Sequence, residues 1–81
     1  MELYDFNILS LNEQMEVVNQ LGTFIDNRIE IKEHCNLYAI GMFYVEVVYD
    51  PLKNKITETR SFKTGYLLDK YSNLKIWSKI L

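Results

Sequence analysis

LYAIGMFYVEVVY, residues 37–49, is the stretch that decides the fold. It is the longest apolar run in the chain, and its aromatic and β-branched residues are typical of strands. A run of 13 residues that includes Glu46 is too short to cross a bilayer as a helix. Gly41 interrupts the run, which allows either a tight hairpin between two short strands or one long strand with a bulge.

Two further strands are predicted on either side of this stretch. Residues 50–55 have the composition of a turn, with Pro51 at its start. The alternation in 56–62 then predicts a strand with Ile56, Glu58, Arg60 and Phe62 on one face. Upstream, the alternation in 24–32 predicts a half-buried strand whose inward residues are Ile25, Ile29 and Ile31, and residues 33–36 are the predicted turn after it.

Helices are predicted outside the strands. Ser10 and Glu13 form a capping box, and apolar residues at helical spacing follow it, so a helix is expected at about 11–21. Gly22 then stands where a left-handed C-terminal residue is favoured. Residues 1–9 are expected to form an ordered arm on the core. From Gly65 onward the helical period returns and predicts a C-terminal helix.

Together these elements predict an α+β fold: an N-terminal helix, a three- or four-stranded antiparallel meander and a C-terminal helix. The chain of 81 residues is expected to be a single domain, 1–81, because a split would leave two very small cores. A content of 48% hydrophobic residues with one proline excludes a disordered chain.

The segments 37–49 and 50–56, with Gly22-Thr23-Phe24 after a capped helix, resemble the corresponding region of small uncharacterised bacterial proteins with a helix–meander–helix arrangement. The resemblance covers roughly residues 10–62. It implies the fold just described and carries no activity, cofactor or site residue.

The residues that carry chemistry are few, and no catalytic, cofactor-binding or metal site is predicted. His34 and Cys35 are the single histidine and the single cysteine. On a strand, neighbouring side chains point to opposite faces, so the two could not form a catalytic pair; in a turn, contact between them would be possible, but nothing in the sequence supports it. A zinc site needs about four such ligands, and the glycines are too far apart for a phosphate-binding loop. An unpaired cysteine and an acidic start without a secretion signal favour a cytoplasmic protein.

Glu46 is the charged residue that interrupts the apolar stretch. By alternation it shares a face with Tyr44 and Val48, and with Met42 and Ile40 if the strand is continuous. It is interpreted first as a solvent-facing residue on the open side of the sheet. The alternatives are a charged anchor in a binding face and a buried general base, although no second polar partner for a base is recognisable.

Charge is unevenly distributed along the chain. Residues 1–50 carry a net charge of −7 and residues 51–81 a net charge of +5. The simplest interpretation is that the acidic first helix and the basic last helix lie near each other. A reciprocal dimer, or a basic face for nucleic acid or an acidic protein, would also separate the charges.

Aromatic residues provide the remaining indication of function. Six Tyr, four Phe and one Trp exceed what a small core needs, and both faces of 37–49 are apolar, so a partner is expected to cover one of them. The sequence therefore predicts a non-enzymatic protein–protein interaction module, such as a bacterial or phage inhibitor or regulator, that forms a homodimer or docks on a larger protein. The expected partner-binding residues are Tyr38, Tyr44, Glu46, Tyr49 and Trp77. The alternative is a nucleic-acid-associated regulator that uses the basic residues Lys70, Lys75 and Lys79.

Overall fold

The computed structural model of the chain describes residues 1–63. These residues form two helices followed by four strands: α1 (Leu3–Asn7), α2 (Leu11–Leu21), β1 (Thr23–Ile29), β2 (His34–Ile40), β3 (Phe43–Asp50) and β4 (Lys55–Phe62). The strands form one antiparallel sheet in the order β1-β2-β3-β4. The α+β class and the antiparallel meander are thus confirmed. The predicted C-terminal helix lies outside the described residues.

Helix α2 begins where the capping box predicts. The Glu13 amide donates to Ser10 Oγ at 3.3 Å, and the Ser10 amide donates to Glu13 Oε1 at 3.0 Å. Its last residue is Leu21, but Gly22 is extended, with φ −76° and ψ 139°, so the predicted left-handed cap is wrong. Gly22 is nevertheless constrained, because a Cβ there would lie 2.5 Å from the Val18 carbonyl oxygen. The position requires glycine for close approach to the helix, not for a positive φ.

The N-terminal arm is ordered and contains helix α1. The Glu2 amide donates to Asp5 Oδ2 at 3.2 Å, which caps the first turn. Phe6 is fully buried, its ring centroid is 5.6 Å from that of Phe43, and its carbonyl accepts a hydrogen bond from Gln14 Nε2 at 3.1 Å. The arm therefore contributes to the core.

The main core lies between the two helices and one face of the sheet, called the helix face below. Its buried members are Phe6, Val18, Ile40, Phe43, Val45 and Val47. The opposite face, called the network face, carries a second cluster in which Leu37 and Phe62 are buried, with Ile25 and Tyr44 packed against them. The sheet is thus apolar on both sides, as the composition of β3 predicts.

The β2–β3 connection is a two-residue hairpin turn, which decides between the alternatives at Gly41. Ile40 pairs with Phe43, and Gly41 has φ +56° while Met42 keeps a negative φ. Glycine is favoured at the first position of such a turn because a side chain there is strained.

We expect Gly41→Ala to lower the free energy of unfolding by about 1 kcal/mol, because alanine at positive φ is strained. Apart from its two chain neighbours, no atom of residues 1–63 lies within 4 Å of the new Cβ, so the effect would come from the backbone. Urea denaturation measures it. Met42→Ala is the control, since Met42 is 87% exposed. Equal stability of the two variants would contradict the turn geometry.

Two bulges change which side chains face inward. The first lies between Phe24 and Asp26 in the β1–β2 pair. As a result Arg28 is largely buried and Ile29 is 69% exposed. Ile31 follows the end of β1 and is 94% exposed. The predicted burial of these two isoleucines is wrong, and so is the predicted turn at 33–36, since β2 begins at His34.

The second bulge falls at Thr57, where the β3–β4 register shifts between Val48 and Tyr49. It places Ile56 on the helix face, against the main core. Glu58, Arg60 and Phe62 lie on the network face. The prediction that Ile56 shares a face with these three residues is therefore wrong, because the alternation is broken by one residue.

Candidate functional site

A charged network occupies the network face across three strands. Glu46 of β3 is 0% exposed, which contradicts its interpretation as a solvent-facing residue. Its Oε1 accepts from Arg60 Nη1 at 2.9 Å, and its Oε2 accepts from Arg28 Nη2 at 3.3 Å. Glu33, in the loop before β2, bridges both arginines: its Oε1 lies 3.3 Å from Arg28 Nη2 and its Oε2 lies 3.3 Å from Arg60 Nη2. We call these four residues the Glu46 network.

Strand register explains why these side chains meet. Glu46 is paired directly with Arg60 on β4 and with Leu37 on β2, so all three point to the network face. Arg28 reaches the same face because the β1 bulge shifts its register. Arg28 and Arg60 are the two arginines of the chain, whereas its other seven basic residues are lysines. Arginine suits this position because its planar fork binds carboxylates through two donors.

Further carboxylates lie at the rim of the network. Glu30 Oε2 is 2.7 Å from Arg28 Nη1, and Glu58 Oε1 is 3.2 Å from Arg60 Nη2. Both rim side chains are about half exposed, at 56% and 53%. Burial opposes the charged form of each arginine, but hydrogen bonds to the surrounding carboxylates outweigh it and raise the pKa of both guanidinium groups. The hydrogen bond from Arg60 in turn lowers the pKa of Glu33.

The network is best interpreted as structural. Each carboxylate oxygen of Glu46 is bound by a guanidinium donor, and the side chain has no exposed surface. A general base must instead reach the proton it removes. Arg28 Nε is buried and has no hydrogen-bond partner among residues 1–63, so this part of the network carries an unsatisfied donor.

Cys35 lies beside the network on the network face, while His34 points to the helix face, near Tyr49. The expectation that two adjacent strand residues cannot pair is confirmed for them. Cys35 Sγ accepts from Arg28 Nη2 at 3.3 Å and donates to Glu33 Oε1 at 3.7 Å. Burial, reinforced by the nearby charge of Glu46, raises the pKa of the Cys35 thiol to about 11.

We expect Cys35 to be almost unreactive in the folded protein. The thiolate is the reactive form, and with a pKa of about 11 it makes up roughly 0.1% of the thiol at pH 8. Labelling with iodoacetamide at pH 8, followed by mass spectrometry, should proceed at least tenfold more slowly than in protein unfolded by guanidinium. Equal rates in the two conditions would show that Cys35 is accessible.

The predicted partner-binding residues are divided between the two faces. Tyr44 and Glu46 lie on the network face. The Tyr44 ring stacks there on the Phe62 ring, with the ring centroids 5.7 Å apart. Tyr38 and Tyr49 lie on the helix face, each half-buried. The structure therefore does not bring these four residues into one surface. Trp77, and the alternative basic residues Lys70, Lys75 and Lys79, lie outside the described residues.

Four exposed apolar residues lie on β1 or close to its two ends, and the sequence reasoning missed their exposure. They are 55% to 94% exposed: Leu21, Phe24, Ile29 and Ile31. We call these residues the β1 strip. The strip adjoins the two helix-face tyrosines, because Phe24 packs edge-on against Tyr38 at 5.8 Å and Ile29 pairs with His34, which pairs with Tyr49. The sequence analysis did not detect the bulge at Ile25, which places Ile29 on the helix face, where it is exposed.

Within residues 1–63 there is no ligand-sized pocket and no group of three metal-ligating side chains. None of the helices in this part of the chain is long and apolar enough to span a membrane.

A scan of protein-family models, a search of curated proteins and a search of solved structures each found no match to this chain. The resemblance to small helix–meander–helix proteins therefore stays a prediction.

Proposed function

We propose that this chain is a small non-enzymatic protein–protein interaction module, acting as a homodimer or docked on a larger protein, and that the β1 strip is its contact surface. The observation that supports the proposal is that Phe24, Ile29 and Ile31, all on β1 or directly after it, are exposed to 55%, 69% and 94%. One exposed apolar residue is ordinary, but several large ones gathered on one edge segment favour an interaction site.

Aromatic neighbours strengthen the strip as a binding surface. The Tyr38 ring packs edge-on against the Phe24 ring. Ile29 is the cross-strand neighbour of His34, and the His34 and Tyr49 ring centroids are 6.0 Å apart. Tyrosine contributes large contact area with little loss of side-chain entropy, so it is enriched among residues that dominate binding. Tyr38 and Tyr49 thus remain proposed partner-binding residues, whereas the Glu46 network stabilises the opposite face.

The test compares two variants that differ only in where lysines replace exposed apolar residues. The strip variant carries Ile29→Lys and Ile31→Lys, and the control carries Met42→Lys and Leu52→Lys, whose parent residues are 87% and 86% exposed. Light scattering after size exclusion, and capture by immobilised protein, measure association. We expect the wild type and the control to associate and the strip variant to lose association at least tenfold. Association that is absent, or that survives in the strip variant, would overturn the proposal.

The same measurement tests the nucleic-acid alternative, which uses Lys70, Lys75 and Lys79. Phosphate contacts make binding fall steeply with salt. Nucleic acid that copurifies and is released as salt rises, with no effect of the strip variant, would favour the alternative.

A further inference from the structure

The network face of the sheet is buried, although no helix of residues 1–63 packs on it. Both helices of this part of the chain contribute their packed side chains to the helix face. An antiparallel sheet face that is open to water normally carries exposed polar side chains. Here the residues at the centre of the face are at most 8% exposed: Leu37, Glu46, Val48 and Phe62.

Neighbours on the same face do not account for the burial of Leu37. The residues that pack around Leu37 and Phe62 are Ile25 and Tyr44, which belong to the same face of the sheet. Side chains of one face stand side by side, roughly perpendicular to the sheet. They shield one another laterally and leave their tips open to water. Complete burial of Leu37 therefore requires an element that lies above the face.

Residues 64–81 are the part of the chain that can supply this element. The preceding strand, β4, ends at Phe62, whose side chain lies on the network face. As a helix, the segment would be about 27 Å long, which matches the length of an eight-residue strand, also about 27 Å. The sequence predicts that its apolar residues form one helical row: Leu67, Tyr71, Leu74, Trp77 and Leu81.

Charge favours the same pairing of segment and face. The Glu46 network has two carboxylates and two guanidinium groups, and the rim adds the carboxylates of Glu30 and Glu58, so this cluster has a net charge of −2. Both rim side chains are about half exposed and can meet a cation above the sheet. The side chains of residues 64–81 have a net charge of +2, from three lysines and one aspartate: Lys70, Lys75, Lys79 and Asp69. Such complementarity mainly selects which surfaces meet.

We propose that residues 64–81 dock on the network face of their own chain, with the apolar row above Leu37 and Phe62 and the lysines near the rim carboxylates. This contact goes beyond the proposed function and does not depend on the β1 strip. It assigns Trp77 and the three lysines to the chain's own sheet, so they are not the surface that receives a partner. It also places the basic segment on the opposite side of the sheet from the acidic helix α2.

The single tryptophan of the chain, Trp77, makes the contact measurable in the full-length protein. Tryptophan quenches the fluorescence of a bimane label at short range. Labels are attached at Glu30→Cys and Glu58→Cys, which lie at the two edges of the network face. The control label is at Asn36→Cys, which is exposed on the helix face. The native Cys35 is buried, so it does not compete for the label.

Each labelled protein is compared with the same protein carrying Trp77→Phe, and circular dichroism checks that all are folded. We expect Trp77→Phe to raise the emission of at least one rim label at least twofold and to leave the control label unchanged. No response at either rim position, or an equal response of the Asn36→Cys label, would overturn the proposal.

A mixing experiment distinguishes the chain's own segment from that of a second copy. Labelled Glu58→Cys and Glu30→Cys proteins that carry Trp77→Phe are mixed with an excess of unlabelled wild type. We expect no quenching, because the contact is intramolecular. Quenching in the mixture would show that another copy supplies the segment, which would overturn the proposal. The β1 strip variant tests the proposed function separately, so either proposal can fail while the other stands.

Discussion

Glu46→Gln is expected to lower the free energy of unfolding by about 3–5 kcal/mol, the largest effect of any polar substitution in the described part of the chain. The amide keeps the shape of the side chain but removes its charge, so Arg28 and Arg60 lose their fully buried carboxylate partner and share only Glu33, which is 27% exposed. A domain of this size has a stability margin of several kcal/mol, so the variant would be largely unfolded at 37 °C. Urea denaturation at neutral pH measures the change.

Glu58→Gln is the matched control for Glu46→Gln. Glu58 binds the same Arg60 at 3.2 Å, but its side chain is 53% exposed. Exposed ion pairs contribute about 0–1 kcal/mol, so this variant should remain close to the wild type. Similar losses in the two variants would mean that burial does not determine the strength of the network.

A triple variant distinguishes two effects on the free energy of unfolding: that of leaving part of the network unpaired, and that of replacing the charged residues by apolar ones. Glu46→Leu combined with Arg28→Met and Arg60→Met removes three of the four charges of the network and retains apolar volume; the remaining carboxylate, Glu33, is 27% exposed and can be hydrated. Buried ion networks replaced in this way are often as stable as the original or more so. We expect the triple variant to lie within about 2 kcal/mol of the wild type, well above Glu46→Gln. A loss as large as that of Glu46→Gln would contradict the account.

Phe6→Ala is expected to cost about 3–5 kcal/mol, because it removes a fully buried aromatic side chain and leaves a cavity. The ring belongs to the five-residue helix α1, which is too short to be stable alone. Its packing against Phe43 at 5.6 Å is therefore what holds the N-terminal segment on the sheet. Urea denaturation again measures the loss.

Tyr4→Ala is the control for Phe6→Ala, since Tyr4 lies in the same helix and is 73% exposed. It should change stability by less than about 0.5 kcal/mol, the range of ordinary surface substitutions. A small effect of Phe6→Ala would indicate that the core closes without the N-terminal segment.

Local signals in the sequence were sufficient for part of the fold. The capping box at Ser10 and Glu13 placed helix α2 correctly, because both hydrogen bonds join residues three apart. The meander followed from short connections between alternating segments. Helix α1 was not recognised, because it is capped by the acidic pair Glu2 and Asp5 and spans five residues.

Bulges explain the remaining errors in the fold and the site. An alternating pattern predicts which residues share a face only while the register is regular. One extra residue near Ile25 and another at Thr57 moved Arg28 inward, Ile29 outward and Ile56 to the other face. The Glu46 network could have been suspected from the pairing of an isolated strand glutamate with the two arginines of the chain. Arg28 and Arg60 lie 18 and 14 residues from Glu46 in the sequence. Their proximity depends on how the strands pair, which no local pattern specifies.

The Glu46 network also constrains how this sequence can diverge. Changing Glu46 alone takes from both arginines their fully buried partner, and changing one arginine leaves Glu46 with a single guanidinium, whereas changing all three together leaves no fully buried charge in the network. Related sequences should therefore fall into two groups, one with the charged trio and one with an apolar trio, and intermediates should be rare. Statistical coupling among these three positions, strongest between 46 and 60, should be the clearest covariation signal on the network face, because those two residues are direct cross-strand neighbours.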